Sequence, residues 1–73
     1  MSKVVKVIEV LAQSEKSWED AAKKAVKAAS KSIDNIKSIY IVDTSAKVEN
    51  GRIVQYRINA KISFLIGSGK KKK

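Results

Sequence analysis

The apolar positions of this chain follow two different periods. Val4 to Leu11 (Val-Val-Lys-Val-Ile-Glu-Val-Leu) is a short β-branched run, whose length and composition predict a strand rather than a helix. Ala12 to Lys16 then reads as a loop. Beyond it, Trp18, Ala21, Ala22, Ala25, Ala29, Ile33 and Ile36 recur at steps of three and four, which is one face of a helix. Lys23, Lys24, Lys27 and Lys31 lie mostly on the other side. Ser17 suits an N-cap, Asp20 three positions on makes a variant of the capping box, and Glu19 adds negative charge to the first turn. The predicted helix runs from 17 to about 32. From Ser38 the period becomes two, predicting strands over 38–48 and 52–66. They meet at Asn50-Gly51, a strong hairpin signal because both residues tolerate positive φ.

A two-residue turn at that point sets a register in which Glu49 faces Arg52, Ile41 faces Ala60 and Ile39 faces Ile62. Val54, Tyr56, Ile58, Ala60, Ile62, Phe64 and Ile66 then form an apolar face, expected to cover the helix together with Ile39 and Ile41. The opposite face mixes Ser38, Tyr40, Val42, Thr44, Ala46 and Val48 with Ile53, Gln55, Arg57, Asn59, Lys61 and Ser63. No element is left in the chain to cover it, so Val42, Val48 and Ile53 are expected at a subunit interface. The predicted fold class is α+β, with the order β-α-β-β. A three-stranded antiparallel sheet packs on one helix, the first strand antiparallel to the third.

Composition sharpens the interface argument. A chain of 73 residues is one domain at most. At that size only about 60 % of the unfolded surface is buried, so a lone copy is marginal. The chain has no Cys and no His, which closes the disulfide and zinc routes to extra stability and leaves oligomerisation. It is 44 % hydrophobic, too apolar for a disordered chain, yet no apolar run approaches a membrane span. Lys3, Lys6 and Glu9 interrupt the first apolar stretch, so no signal peptide is expected and the expected location is cytoplasmic. The net charge is +9, and four of the positive charges belong to Lys70–Lys73, preceded by Gly67-Ser68-Gly69. The expected organisation is a domain over 1–66 followed by a linker and a charged tag over 67–73; a natural basic arm is the alternative.

Catalysis has little to draw on. Without His, no side chain of ordinary pKa titrates near neutrality. Most of the acids fit structural roles: Glu19 and Asp20 at a helix start, Glu49 at a turn, Glu15 and Asp34 on the surface, Glu9 within a strand. Asp43 stands apart, because the register puts it on the helix-facing side, where it caps a backbone group or binds a cation. No nucleophile–base pair, phosphate-cradling glycine loop or metal-ligand spacing occurs, so neither an enzyme nor a metal site is expected. Lysines on the helix suit phosphates only without sequence preference. The aromatic residues Trp18, Tyr40, Tyr56 and Phe64 are too sparse for a stacking platform, so no specific nucleic-acid partner is expected, nor a membrane. Trp18 reads as an anchor of the core or of an interface.

Over residues 3–66 the chain resembles the dodecins. The resemblance rests on Lys-Val-Ile-Glu-Val at 6–10, Ser-Trp-Glu-Asp-Ala-Ala at 17–22, Val-Asp-Thr at 42–44, Glu-Asn-Gly-Arg-Ile at 49–53 and Tyr-Arg-Ile-Asn-Ala-Lys-Ile-Ser-Phe at 56–64. It implies a hollow homododecamer of tetrahedral symmetry that binds or stores a small ligand. Many members hold flavins in pairs at two-fold contacts, some hold coenzyme A, and a subgroup is described as calcium-binding. Carried over by position, the Trp on which flavin-binding members stack the ring falls on Ser38. The Gln that bonds the ring edge falls on Arg57. The implied ligand-binding set is Ser38, Tyr40, Gln55 and Arg57, with Tyr40 a substitute stacking surface and Arg57 suited either to a salt bridge across the subunit contact or to an anionic group such as a flavin phosphate. The implied ligand is riboflavin or FMN, with coenzyme A as the alternative. The chain looks like the branch that lacks the stacking Trp. A structural shell or engineered cage scaffold without flavin stays open, as does a basic surface that takes polyanions non-specifically.

Overall fold

The computed structural model describes residues 4–66, and the linker and tail expected over 67–73 lie outside them. Strand β1 (Val4–Ser14), helix α1 (Trp18–Ser30), strand β2 (Ile36–Glu49) and strand β3 (Arg52–Ile66) follow one another. The sheet order is β1-β3-β2 and both pairings are antiparallel, which is the predicted fold. β1 runs further than its apolar run: Ala12, Gln13 and Ser14 pair with Ile58, Arg57 and Tyr56, so the expected loop shrinks to 15–17. Cross-strand pairing with a long partner decides this, against three residues of weak strand preference.

The helix start is built as the sequence suggests. The Ser17 hydroxyl accepts a hydrogen bond from the Asp20 backbone N–H at 2.9 Å. The reciprocal arm of the capping box is absent, because the Asp20 carboxylate turns instead to the Ser14 hydroxyl at 2.5 Å. The Ser14 oxygen in turn accepts from the Lys16 backbone N–H, so one buried serine ties strand, loop and helix together. The helix stops two residues short of the expected end. Ser32 and Ile33 bond back to the Ala29 carbonyl, and Asn35 takes a positive φ of 63° that turns the chain into β2. Ile36 consequently opens β2 rather than extending the helix face.

At the hairpin, Asn50 and Gly51 take φ values of 53° and 74°, the pair of left-handed conformations that a two-residue turn requires. The pairs Glu49/Arg52, Ile41/Ala60 and Ile39/Ile62 form as predicted. Between them the register shifts. Val48 faces Ile53 but Lys47 faces Gln55, which leaves Val54 without a partner; Asp43 faces Asn59 but Ile41 faces Ala60, which leaves Val42 without one. These are two compensating β-bulges, one on each strand. Between them, residues 43–47 of β2 are turned over relative to the expected register. Thr44 and Ala46 pair with Ile58 and Tyr56 on the helix side, and Asp43 and Ser45 pair with Asn59 and Arg57 on the outer side.

The core is small. Ala21, Ala25, Ile58, Ala60 and Ile62 are buried, with Val10, Ala12, Ala22 and Ile39 packed at its margin. Alanines let α1 lie close on the sheet, but it sits over β1 and β3 more than over β2. Ile41, expected to cover the helix, is therefore half exposed on the edge strand. Among the described residues the ion pairs Lys23–Glu19, Lys24–Asp20 and Lys47–Glu49 are all solvent-accessible and contribute little.

Replacing Ser17 with Ala should lower stability by about 1 kcal/mol in urea unfolding at fixed protein concentration. The Asp20 carboxyl is held below its ordinary range, first by the Ser14 hydroxyl donor and then by Lys24, against partial burial. A group with a depressed folded-state pKa stabilises the fold above its unfolded value and loses that contribution as pH falls through the folded value. Asp20→Asn should therefore flatten the stability loss below about pH 4 and leave its slope near neutrality unchanged.

Candidate functional site

The inverted stretch of β2 creates an outer-face hollow with converging polar groups. Leu11 and Gln13 of β1, Arg57 and Asn59 of β3, and Asp43 and Ser45 of β2 line a pocket of about 470 Å³. Rows of paired residues run across it: Leu11–Asn59–Asp43, and one step toward the hairpin, Gln13–Arg57–Ser45. Leu11 is 81 % exposed in its floor. The Asn59 Oδ1 is buried without a hydrogen-bond partner, and a buried acceptor left so costs about 1–3 kcal/mol until a donor reaches it. Arg57 is exposed, and its guanidinium forms no ion pair among the described residues.

Trp18 fixes this arrangement from behind. Its Nε1–H donates to the Ser45 carbonyl at 2.8 Å, and its ring meets Tyr56 edge-on with centroids 4.8 Å apart. The helix start is thereby tied to the inverted segment of β2, two residues from Asp43. Asp43 itself is corrected from the helix-facing side, where it was expected, to the outer face. Thr44 and Ala46 exchange places with it.

The expected ligand-binding residues do not come together in one chain. Ser38 faces Ser63, their hydroxyl oxygens 2.5 Å apart, and Tyr40 faces Lys61. Arg57 lies six residues from Ser63 along β3, about 20 Å at the strand rise. Gln55 is half-buried and borders a separate depression with Ser14, Lys16 and Lys24, which shares Gln13 with the first. Ser38 offers no ring face and its hydroxyl is engaged, so the stacking part of a flavin site is missing within a chain. An amide acceptor, a carboxylate and a guanidinium line one hollow. Among the described residues no three His, Cys, Asp or Glu side chains converge. The expected interface residues Val42, Val48 and Ile53 are 53 %, 60 % and 48 % exposed, with nothing in the chain above them.

Ser45, Asn59, Gln13 and Leu11 were not singled out as a ligand site by the sequence, and Asp43 only as a backbone cap or cation ligand on the helix-facing side. No local signal marks the bulges: Ile41-Val42 and Ile53-Val54 are adjacent apolar residues, but so are Phe64, Leu65 and Ile66, where β3 has none. Replacing Trp18 with Phe keeps the ring contact and removes the donor to Ser45. It should cost about 1 kcal/mol in chemical unfolding and broaden the Asp43 and Ser45 amide resonances.

The family model for dodecin matches residues 4–67. The calcium dodecin of Mycobacterium tuberculosis is 36 % identical over 61 residues, spanning 84 % of this chain and 86 % of that protein. The crystal structure of that calcium-chelating antigen superposes with a TM-score of 0.76 at 35 % identity, covering 93 % of this chain and 97 % of its own. Dodecin from Streptomyces davaonensis superposes with a TM-score of 0.87 at 16 % identity, covering 93 % of this chain and 100 % of its own, and supports the fold alone.

Proposed function

The chain belongs to the dodecin family, and from that premise we propose that it assembles as a homododecameric cage that binds and stores a small ligand on the outer face of its sheet. One observation carries the reading: the outer pocket combines an exposed leucine, an unpartnered buried amide oxygen and an unpaired arginine. Leu11, Val42, Val48 and Ile53 call for a second copy as cover, because scattered exposure is ordinary but a whole uncovered apolar-polar face is not. The orphaned oxygen and the cation call for a ligand of matching chemistry. We take the ligand class to be flavin, riboflavin or FMN, or another nucleotide-like molecule such as coenzyme A.

The role proposed is holding rather than turnover. The pocket carries a single carboxylate, an amide and a guanidinium, a set suited to hydrogen bonding rather than to paired acid–base chemistry. We assign the working unit to 1–66 and regard 67–73 as an appendage outside it. A cytoplasmic setting is part of the proposal; among the described residues no helix is long and apolar enough to cross a membrane.

Native mass spectrometry tests the assembly. The full chain should appear as twelve copies, and Val42→Lys should dissociate it; an unchanged mass for that variant sinks the interface assignment. Ser38→Trp should raise riboflavin affinity at least about tenfold in fluorescence quenching, since a stacked ring is worth on the order of 1–3 kcal/mol by analogy with nucleobases. No gain would mean that Ser38, about 20 Å from Arg57 within a chain, is not brought to the outer pocket by a second copy. A cage of full mass that quenches neither riboflavin nor FMN would leave a structural shell.

A further inference from the structure

The chain holds three asparagines, Asn35, Asn50 and Asn59, and the fold treats them differently. Asn59 lies inside β3 with a strand on either side, opposite Leu11 and Asp43, and its Oδ1 is buried. Asn35 is exposed and has a positive φ of 63°, but its backbone carbonyl accepts from the Leu65 N–H at 3.1 Å. That bond fixes the peptide plane carrying the Ile36 nitrogen, and the stiff branched side chain of Ile36 crowds the same nitrogen. Asn50 has neither guard. It stands exposed at the tip of the β2–β3 hairpin, followed by Gly51, whose N–H makes no turn or cap hydrogen bond among the described residues. A Cβ built at Gly51 would meet nothing within 4 Å, so the space around this peptide is open.

We propose that Asn50 is a site of spontaneous covalent modification, in which the Gly51 backbone nitrogen converts the Asn50 amide to a mixture of aspartate and β-linked isoaspartate. The nitrogen attacks the Asn50 Cγ and gives its proton to solvent. The new N–Cγ bond closes a cyclic imide, the Cγ–Nδ2 bond breaks, and the amino group takes a proton and leaves as ammonia. One water then opens the imide. Opening at Cγ restores the original backbone with an aspartate side chain; opening at the backbone carbonyl leaves the chain running through Cγ as isoaspartate. One water enters, one ammonia leaves, and nothing is oxidised or reduced. Glycine suits the attack because it has no Cβ to block the approach. The turn has to loosen for the atoms to meet, and a hairpin tip closed by the exposed Glu49/Arg52 pair lies at the weak end of local stability. The charged groups beside it are Lys47, held by Glu49 at 3.4 Å, and Arg52. Isoaspartate lengthens the backbone of a turn that closes through φ values of 53° and 74°, and either product adds a carboxylate next to Val48.

Peptide mapping by mass spectrometry tests this on the full chain, held folded in warm, mildly alkaline buffer and sampled over time. Trypsin separates the three asparagines into the peptides 32–37, 48–52 and 58–61, and a zero-time sample digested in parallel removes any conversion caused by the digestion. Peptide 48–52 should gain the mass of an oxygen in place of an NH at least about tenfold faster than the other two. Fragmentation should find both aspartate and isoaspartate in it. Gly51→Ala places a methyl group beside the attacking nitrogen and should slow the gain about tenfold. Comparing it with the native sequence in urea, where strain from the positive φ of the turn plays no part, keeps the test valid even if the variant folds poorly. An unchanged rate in urea overturns the assignment of Gly51 as the attacking residue. Equal gains in all three peptides of the folded protein overturn the proposal, as does no gain at Asn50 over a period in which the urea-unfolded chain converts. Aspartate without isoaspartate would make water the attacking group and overturn it too.

Discussion

One short helix has to cover a sheet more than twice its length, and the rest of the structure follows from that mismatch. The 13 residues of α1 span about 20 Å, while the 14 residues of β2 span about 45 Å. The result is a body with extents of 54, 19 and 13 Å, too thin to surround much core. The alanine-rich helix face gains closeness at the expense of apolar volume, and Ile62 is the largest fully buried side chain. A sheet left open on one face and along β2 is a partner-seeking element, and a second copy is the cover most readily supplied to a chain without cysteines or histidines.

The bulges at Val54 and Val42 turn this exposed face into one with chemistry. Each adds one residue to one strand, and because side chains alternate strictly, one extra residue inverts everything up to the next. The inverted stretch brings Asp43 and Ser45 beside Asn59 and Arg57 and sends Thr44 and Ala46 toward the helix. Trp18 stabilises the inversion by donating to the Ser45 carbonyl, a bond only available if that carbonyl points to the helix start. The same residue that begins the helix is therefore bonded to the strand segment whose outer side chains line the pocket. This links the helix cap, the strand register and the site into one unit: Ser14 joins β1 to Asp20, Ser17 caps the helix, and Trp18 reaches β2.

The candidate site was legible only in part. Arg57 and Tyr40 were placed on the outer face correctly from the period of two, and Val42, Val48 and Ile53 are as exposed as an interface requires. Ser38, Tyr40, Gln55 and Arg57 looked like one set because a family's site was carried over residue by residue. Within one chain Ser38 and Arg57 stand about 20 Å apart along the strand. A site that combined them would need residues from two copies. Gln13, read as loop, and Asp43, read as helix-facing, entered the pocket through extended pairing and an inverted register.

Local physics written in the sequence determined the elements. Ser17 and Asp20 mark the helix start, Asn50-Gly51 marks the turn, and the apolar alternation through Ile58, Ala60 and Ile62 marks the buried face, because caps, turns and periodicity depend on residues a few positions apart. Only the tertiary structure decided how far β1 extends, where the register slips, and which side Asp43 takes. Those outcomes depend on pairing energies between distant segments and on a single tryptophan hydrogen bond across 27 residues of chain, and no local pattern contains them.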